Sequence, residues 1–161
     1  MIRSMQIGRW VLRADVERTR AAHAKLTKSG FAECGCSGCA NFEAVRSQLM
    51  TGPLGAILSK LGAEPPWEVE VYEMGRAPSG LHIYGGWFHV VGVLESGADA
   101  WRPMEGHASF RAADFEPLSP TLSIGLHSDA VLIRPSFEDL PLVQLEIHAE
   151  LPWVIDAEEP N

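Results

Sequence analysis

Hydrophobic and polar positions change rhythm once along this chain, near Pro66. Before that point the apolar spacing is helical. Asp15 is placed to cap a helix running to about Lys28, rich in the helix formers Ala21, Ala22, Ala24 and Leu26 and closed by Ser29-Gly30. Phe42, Val45 and Leu49 fall at i, i+3 and i+7, one stripe of a helix over 41–50 with Asn41 as its N-cap. Thr51-Gly52-Pro53 breaks that helix, and Pro53 suits the first turn of a third one ending near Leu61-Gly62. Ahead of the helices, residues 7–13 alternate in part and predict a short first strand.

After the stiff Glu64-Pro65-Pro66 segment the period becomes two. Val69 and Val71 face one way, and Glu68, Glu70 and Tyr72 the other. Residues 81–94 read as a long strand interrupted at Gly85-Gly86, where a glycine pair marks a bulge or a close backbone approach. From Trp87 onward this strand is apolar on both faces, which predicts a central strand covered on both sides. Residues 107–112 read as strand or extended loop, 121–127 alternate cleanly, and 130–133 predict one short strand more. The last strand, over 141–151, sets Leu142, Gln144, Glu146 and His148 against Val143, Leu145, Ile147 and Ala149. The acidic tail, 156–161, is expected to fray. Helices first and strands afterwards give an α+β fold: N-terminal helices packed on one face of an antiparallel sheet of about five strands. The expected organisation is a single domain over 1–161, with a helical lobe at about 13–62 and the sheet at about 67–155.

Composition narrows the function classes. The 161 residues are 46% hydrophobic and 21% charged, as in ordinary globular proteins. The net charge of −8 argues against a nucleic-acid binder, which needs a basic footprint, and against docking on anionic lipid. No apolar run approaches the ~20 residues that span a bilayer, and the first residues carry no apolar signal core. The expectation is a soluble cytoplasmic protein, with no nucleic-acid and no membrane partner.

All three cysteines fall in one string, Cys34-Gly35-Cys36-Ser37-Gly38-Cys39. An odd, tightly spaced set does not suit a disulfide framework. It suits a metal centre: three thiolates are three of the four ligands zinc takes, and Gly35 and Gly38 let the backbone turn sulfurs inward. The fourth ligand must come from elsewhere, and His89 is the first candidate, ahead of His82. A second reading is a thiol-disulfide oxidoreductase, with Cys36 attacking and Cys39 resolving, since a thiol near a helix N-terminus is acidified by the helix dipole. A third is three small residues in a glycine-rich loop. An iron–sulfur cluster would lack a fourth cysteine.

The Cys-x-Cys-x-x-Cys-x-Asn-Phe string from Cys34 to Phe42, with the stretch from Arg13 to Arg20 and the later Leu81-His82-Ile83-Tyr84-Gly85-Gly86-Trp87, resembles a family of small bacterial proteins. No established activity is attached to that family, so the resemblance carries over no catalytic role.

If the strands pair as expected, their polar residues gather on one face: Glu70, Tyr72, His82 and Tyr84, then Ser123 and His127, then Gln144, Glu146 and His148. Histidines beside a carboxylate can ligate a metal or transfer protons, and the same pattern describes a plain water-facing sheet. His89, between Phe88 and Val90, is either a satisfied core histidine or a ligand. No dinucleotide or phosphate-loop string, His-Glu-x-x-His or Gly-x-Ser-x-Gly is present. The leading expectation is a zinc-binding module for a protein or small-molecule partner, held by Cys34, Cys36, Cys39 and His89. The thiol-disulfide oxidoreductase and an acidic, immunity-type partner for a basic protein are the alternatives.

Overall fold

The computed structural model describes residues 2–104, 107–110 and 114–161, with side chains for 2–101 and 114–161. The chain opens with a hairpin, β1 (Ile2–Ile7) and β2 (Trp10–Asp15), turning at Gly8 with φ 56. The single strand expected over 7–13 is therefore the turn and the start of β2. Asp15 caps α1 (Val16–Ala24), its carboxylate accepting the Arg18 N–H at 3.0 Å, but the helix stops at Ala24 rather than near Lys28. α2 (Ser37–Met50) and α3 (Pro53–Leu61) follow, and α3 has Pro53 in its first turn and Gly62 left-handed at its C-cap.

Seven more strands complete the fold: β3 (Glu70–Arg76), β4 (His82–Ser96), β5 (Trp101–Met104), β6 (His107–Phe110), β7 (Glu116–Ser119), β8 (Leu122–His127) and β9 (Leu142–Leu151). The fold is α+β, and its main sheet has seven antiparallel strands, not about five. The order is β1-β2-β4-β9-β8-β7, with β3 also on β4, while β5 and β6 form a separate two-stranded ribbon. The expected count was short because the N-terminal hairpin precedes the helices and because β7 carries Pro117, a residue an edge strand tolerates. Residues 130–133 form no strand: Val131, Leu132 and Ile133 are exposed, and Leu132 turns at φ 55. Of the 107–112 segment, β6 covers 107–110, and 111 and 112 lie outside the described residues.

β4 organises everything else. One of its edges pairs with β9 along 82–91, and the other is divided between β3, which ends its pairing at Trp87 going up the strand, and β2, which begins at Gly92. In the gap, helix side chains replace a neighbouring strand. The Thr19 Oγ1 accepts the Val91 N–H at 3.0 Å, and the His23 Nε2–H donates to the His89 carbonyl at 3.2 Å. So α1 plugs an edge of the sheet, while its Arg20 guanidinium also donates to the Ser59 carbonyl of α3 at 3.2 Å. Its Ala22 packs with Val91 and Phe137 in a small separate cluster. Phe42, Val45, Leu54 and Leu58 of α2 and α3 join the main core with Tyr84, Phe88, Val90 and Leu145.

Side chains alternate across a strand. Tyr84, Phe88 and Val90 therefore point into the main core, while Trp87, His89 and Val91 point to the opposite face. Among the described residues, no helix is long and apolar enough to cross a membrane.

Candidate metal centre

The cysteine string forms the start of α2. Cys36, not Asn41, is the N-cap, and its Sγ accepts the Cys39 N–H at 3.3 Å. Cys39 then lies inside the first helical turn and is buried in the main core. Cys34 and Cys36 are exposed, and the Cys34 thiol donates to the Cys36 sulfur at 3.1 Å. All three thiols are free, and their sulfurs lie within 4.8 Å of one another. A tetrahedral zinc with Zn–S bonds near 2.3 Å needs sulfurs about 3.8 Å apart. The three thiols thus stand close to the spacing a metal would impose.

The local electrostatics separate these thiols. Cys36 is held below the usual thiol pKa, first by the Cys39 backbone N–H and then by the Cys34 thiol. Cys39 is pushed far above it, first by burial and then by its hydrogen bonds to Cys36 and Cys34. The first member of the Cys-x-x-Cys pair is the readily ionised one, as a helix N-terminus dictates.

Asn41 has a different role from the expected cap. It is fully buried, and its Nδ2 donates to the Tyr84 hydroxyl (3.2 Å) and the Pro152 carbonyl (3.0 Å). Its Oδ1 accepts the Val154 N–H at 2.7 Å. The Tyr84 hydroxyl in turn donates to the Gly38 carbonyl at 2.8 Å. Asn41 and Tyr84 thereby fix the cysteine turn to β4 and to the chain beyond β9. Gly38 brings this turn against Glu73 of β3: a Cβ at Gly38 would lie 3.3 Å from the Glu73 Cβ.

The structure does not bring the expected histidine to the sulfurs. His89 points to the sheet face opposite the cysteines because it alternates with Phe88 and Val90. It is buried, with Nε2 against the Gln144 Oε1 at 3.2 Å, and burial holds its pKa below the ordinary value, opposed by that hydrogen bond. Among the described residues, the group of potential ligands around the sulfurs contains no histidine and no carboxylate. His82 is closer in the fold but occupied: Nδ1 meets the Glu73 Oε1 at 3.0 Å and Nε2 the Glu159 Oε1 at 2.8 Å. Burial pulls its pKa down, and the two carboxylates outweigh that and hold it above the ordinary value. The tail expected to fray is therefore tied back, since Glu159 also meets Arg76 at 3.0 Å.

The polar face expected from alternation is real in part. Register pairs Ser123 with His148, Gly125 with Glu146 and His127 with Gln144, so these side chains share one face with Tyr72 and Trp87. His82 and Tyr84 do not belong to it, because they pair with Leu151 and Ala149 on the core side. Nor is the face simply wet: His127, Gln144 and Glu146 are buried. The chain matches no known family model, no curated protein and no solved structure.

Proposed function

We propose that the chain is a metal-binding module whose centre is a zinc ion held by the thiolates of Cys34, Cys36 and Cys39. The observation that carries this is the convergence of all three sulfurs, the chain's full complement of thiols, within 4.8 Å on one helix start. Three protein ligands leave the fourth position of a tetrahedral ion to water or to a ligand atom from a partner. Cys34 and Cys36 are exposed, so that position faces outward. The ion would pin the loop before α2 to the helix, and its binding free energy would add to folding. The module would work in a reducing compartment such as the cytoplasm, with a protein or small molecule as partner.

A second reading has one observation in its favour: an acidified Cys36 at the N-cap followed by a buried, protonated Cys39. In that reading the Cys36 thiolate attacks a substrate disulfide and releases one substrate thiol. The Cys39 thiol then loses its proton and displaces the second, leaving a Cys36–Cys39 disulfide.

Metal content and free-thiol count of protein purified without a metal-binding tag separate the two. The zinc reading expects about one zinc per chain and thiols shielded from alkylation until a chelator is added. No metal, together with a disulfide that forms and reduces reversibly, would replace it with the dithiol reading.

A further inference from the structure

The sheet face opposite the cysteines carries a cavity of about 480 Å³, within the range of small-molecule sites. Its walls include the rings of Tyr72, Trp87 and Trp101, and three carboxylates line it: Asp99, Asp129 and Glu146. No lysine or arginine is among its described lining residues.

Glu146 is the unusual member. It is only 3% exposed, on β9 in the middle of the sheet. Its Oε1 accepts from the Gln144 Nε2 at 2.7 Å and from the Trp101 indole N–H at 2.8 Å. Both donors are neutral. His127 stands beside it, with its Nε2 3.4 Å away. The Nδ1 of His127 accepts the Trp101 backbone N–H at 3.1 Å, so that nitrogen acts here as an acceptor and not as a donor. A buried carboxylate without a cation is costly, by several kcal/mol before compensation. Its field reaches the wall: the Tyr72 phenol is held above its ordinary pKa, first by burial and then by the charge of Glu146.

The sequence builds this space deliberately. Gly85 pairs with Tyr72, and a Cβ there would overlap the phenol ring. Gly125 pairs with Glu146, and a Cβ there would overlap the Phe115 ring. Tyr72 and Trp87 then meet edge to face, with centroids 6.3 Å apart at 61°.

We infer that this cavity binds a free small molecule bearing an alkylated ammonium group. Electron-rich ring faces attract such a cation, and they do so most strongly where water is excluded. The missing counter-charge of Glu146 would be supplied by the ligand. A quaternary head needs no hydrogen-bond acceptor, which suits a carboxylate oxygen already holding two donors. Apolar substituents on the nitrogen fit walls made of rings. This site is independent of the metal centre, because the two lie on opposite faces of the sheet.

The test uses the full chain and three probes: choline, its neutral isostere 3,3-dimethylbutan-1-ol, and guanidinium. Binding is followed by calorimetry and by tryptophan fluorescence. Choline is expected to bind and to quench, with the neutral isostere at least tenfold weaker. Glu146→Gln is expected to lower choline affinity at least tenfold, and Asp129→Asn, at an exposed position, a few-fold. Equal affinity for the neutral isostere, tighter binding of guanidinium, or no choline binding up to about 10 mM (weaker than the ~1 mM end of ordinary ligand affinities) would each overturn the inference. The wild-type comparison decides the matter even if Glu146→Gln fails to fold.

Discussion

Cys36 and Cys39 are three residues apart and chemically opposite. One caps a helix and takes a backbone N–H, and the other is sunk in the core behind it. That difference predicts an order of reactivity. In metal-free protein, iodoacetamide should modify Cys36 first near neutral pH, with Cys39 inert until the protein unfolds; peptide mass spectrometry at timed intervals reads the order. Modification of Cys39 at a rate equal to Cys36 would contradict the arrangement. The histidines make a second prediction. His23 is 2% exposed, between Trp67 and Phe137, and burial lowers its pKa to about 4 from the usual 6.5. An unfolded chain therefore takes up this proton first as pH falls. The stabilisation is fully present above pH 6.5 and is lost as pH falls toward 4, with a full magnitude of about 3 kcal/mol at 1.36 kcal/mol per pKa unit. His89 and His148 are shifted the same way by burial. His82 has the opposite sign: its raised pKa contributes below the unfolded value and is lost as pH rises through the folded one. Urea unfolding across pH 4 to 8 should show stability falling on the acid side of 6.5, and His82→Gln should remove the loss on the alkaline side only. A flat acid limb would contradict the burial of His23.

At the scale of elements, the junction of α1 with β4 has most to say. β4 is longer than either strand on its far edge, and α1 supplies the missing partners at the gap. Thr19→Val keeps the shape and removes the acceptor of the Val91 N–H. It should destabilise the chain by about 1–3 kcal/mol, the penalty of a buried unsatisfied donor, read as a lower urea midpoint at unchanged slope. No loss would mean that water reaches the gap. The same junction shows what the sequence could and could not reveal. The alternation in 141–151 and the stripe of Phe42, Val45 and Leu49 were legible because each repeats a local period against one core. The role of α1 was not, because Thr19 and His23 act on backbone groups of residues 66 and more positions away in the chain. Asn41 misled for a related reason. Asn is a natural cap, yet here a cysteine takes that place and Asn41 turns inward to Tyr84 and the residues after β9. For His89 the strand period was enough to assign a face, but which face held the cysteines depended on how the helices docked.

The whole molecule is a sheet with different chemistry on its two sides. On one, α2 and α3 complete an apolar core and carry the three sulfurs at its rim. On the other, two tryptophans, a tyrosine and buried Glu146 line a cavity. The tail closes over the first side, with Glu159 holding His82 and Arg76 and with the Trp153 indole N–H donating to the Ala157 carbonyl at 2.9 Å. The net charge of −8 suits a cationic ligand or a metal ion. On the proposed reading, the three sulfurs share one metal. Cobalt(II) titration of the reduced protein tests it most directly, because thiolate-to-cobalt charge transfer counts the sulfurs bound and the visible bands report tetrahedral geometry. A shared site should give a saturating tetrahedral spectrum at about one cobalt per chain, displaced by zinc, and weakened in each of Cys34→Ser, Cys36→Ser and Cys39→Ser. A titration with no charge-transfer band, or one unchanged by any of the three substitutions, would contradict it.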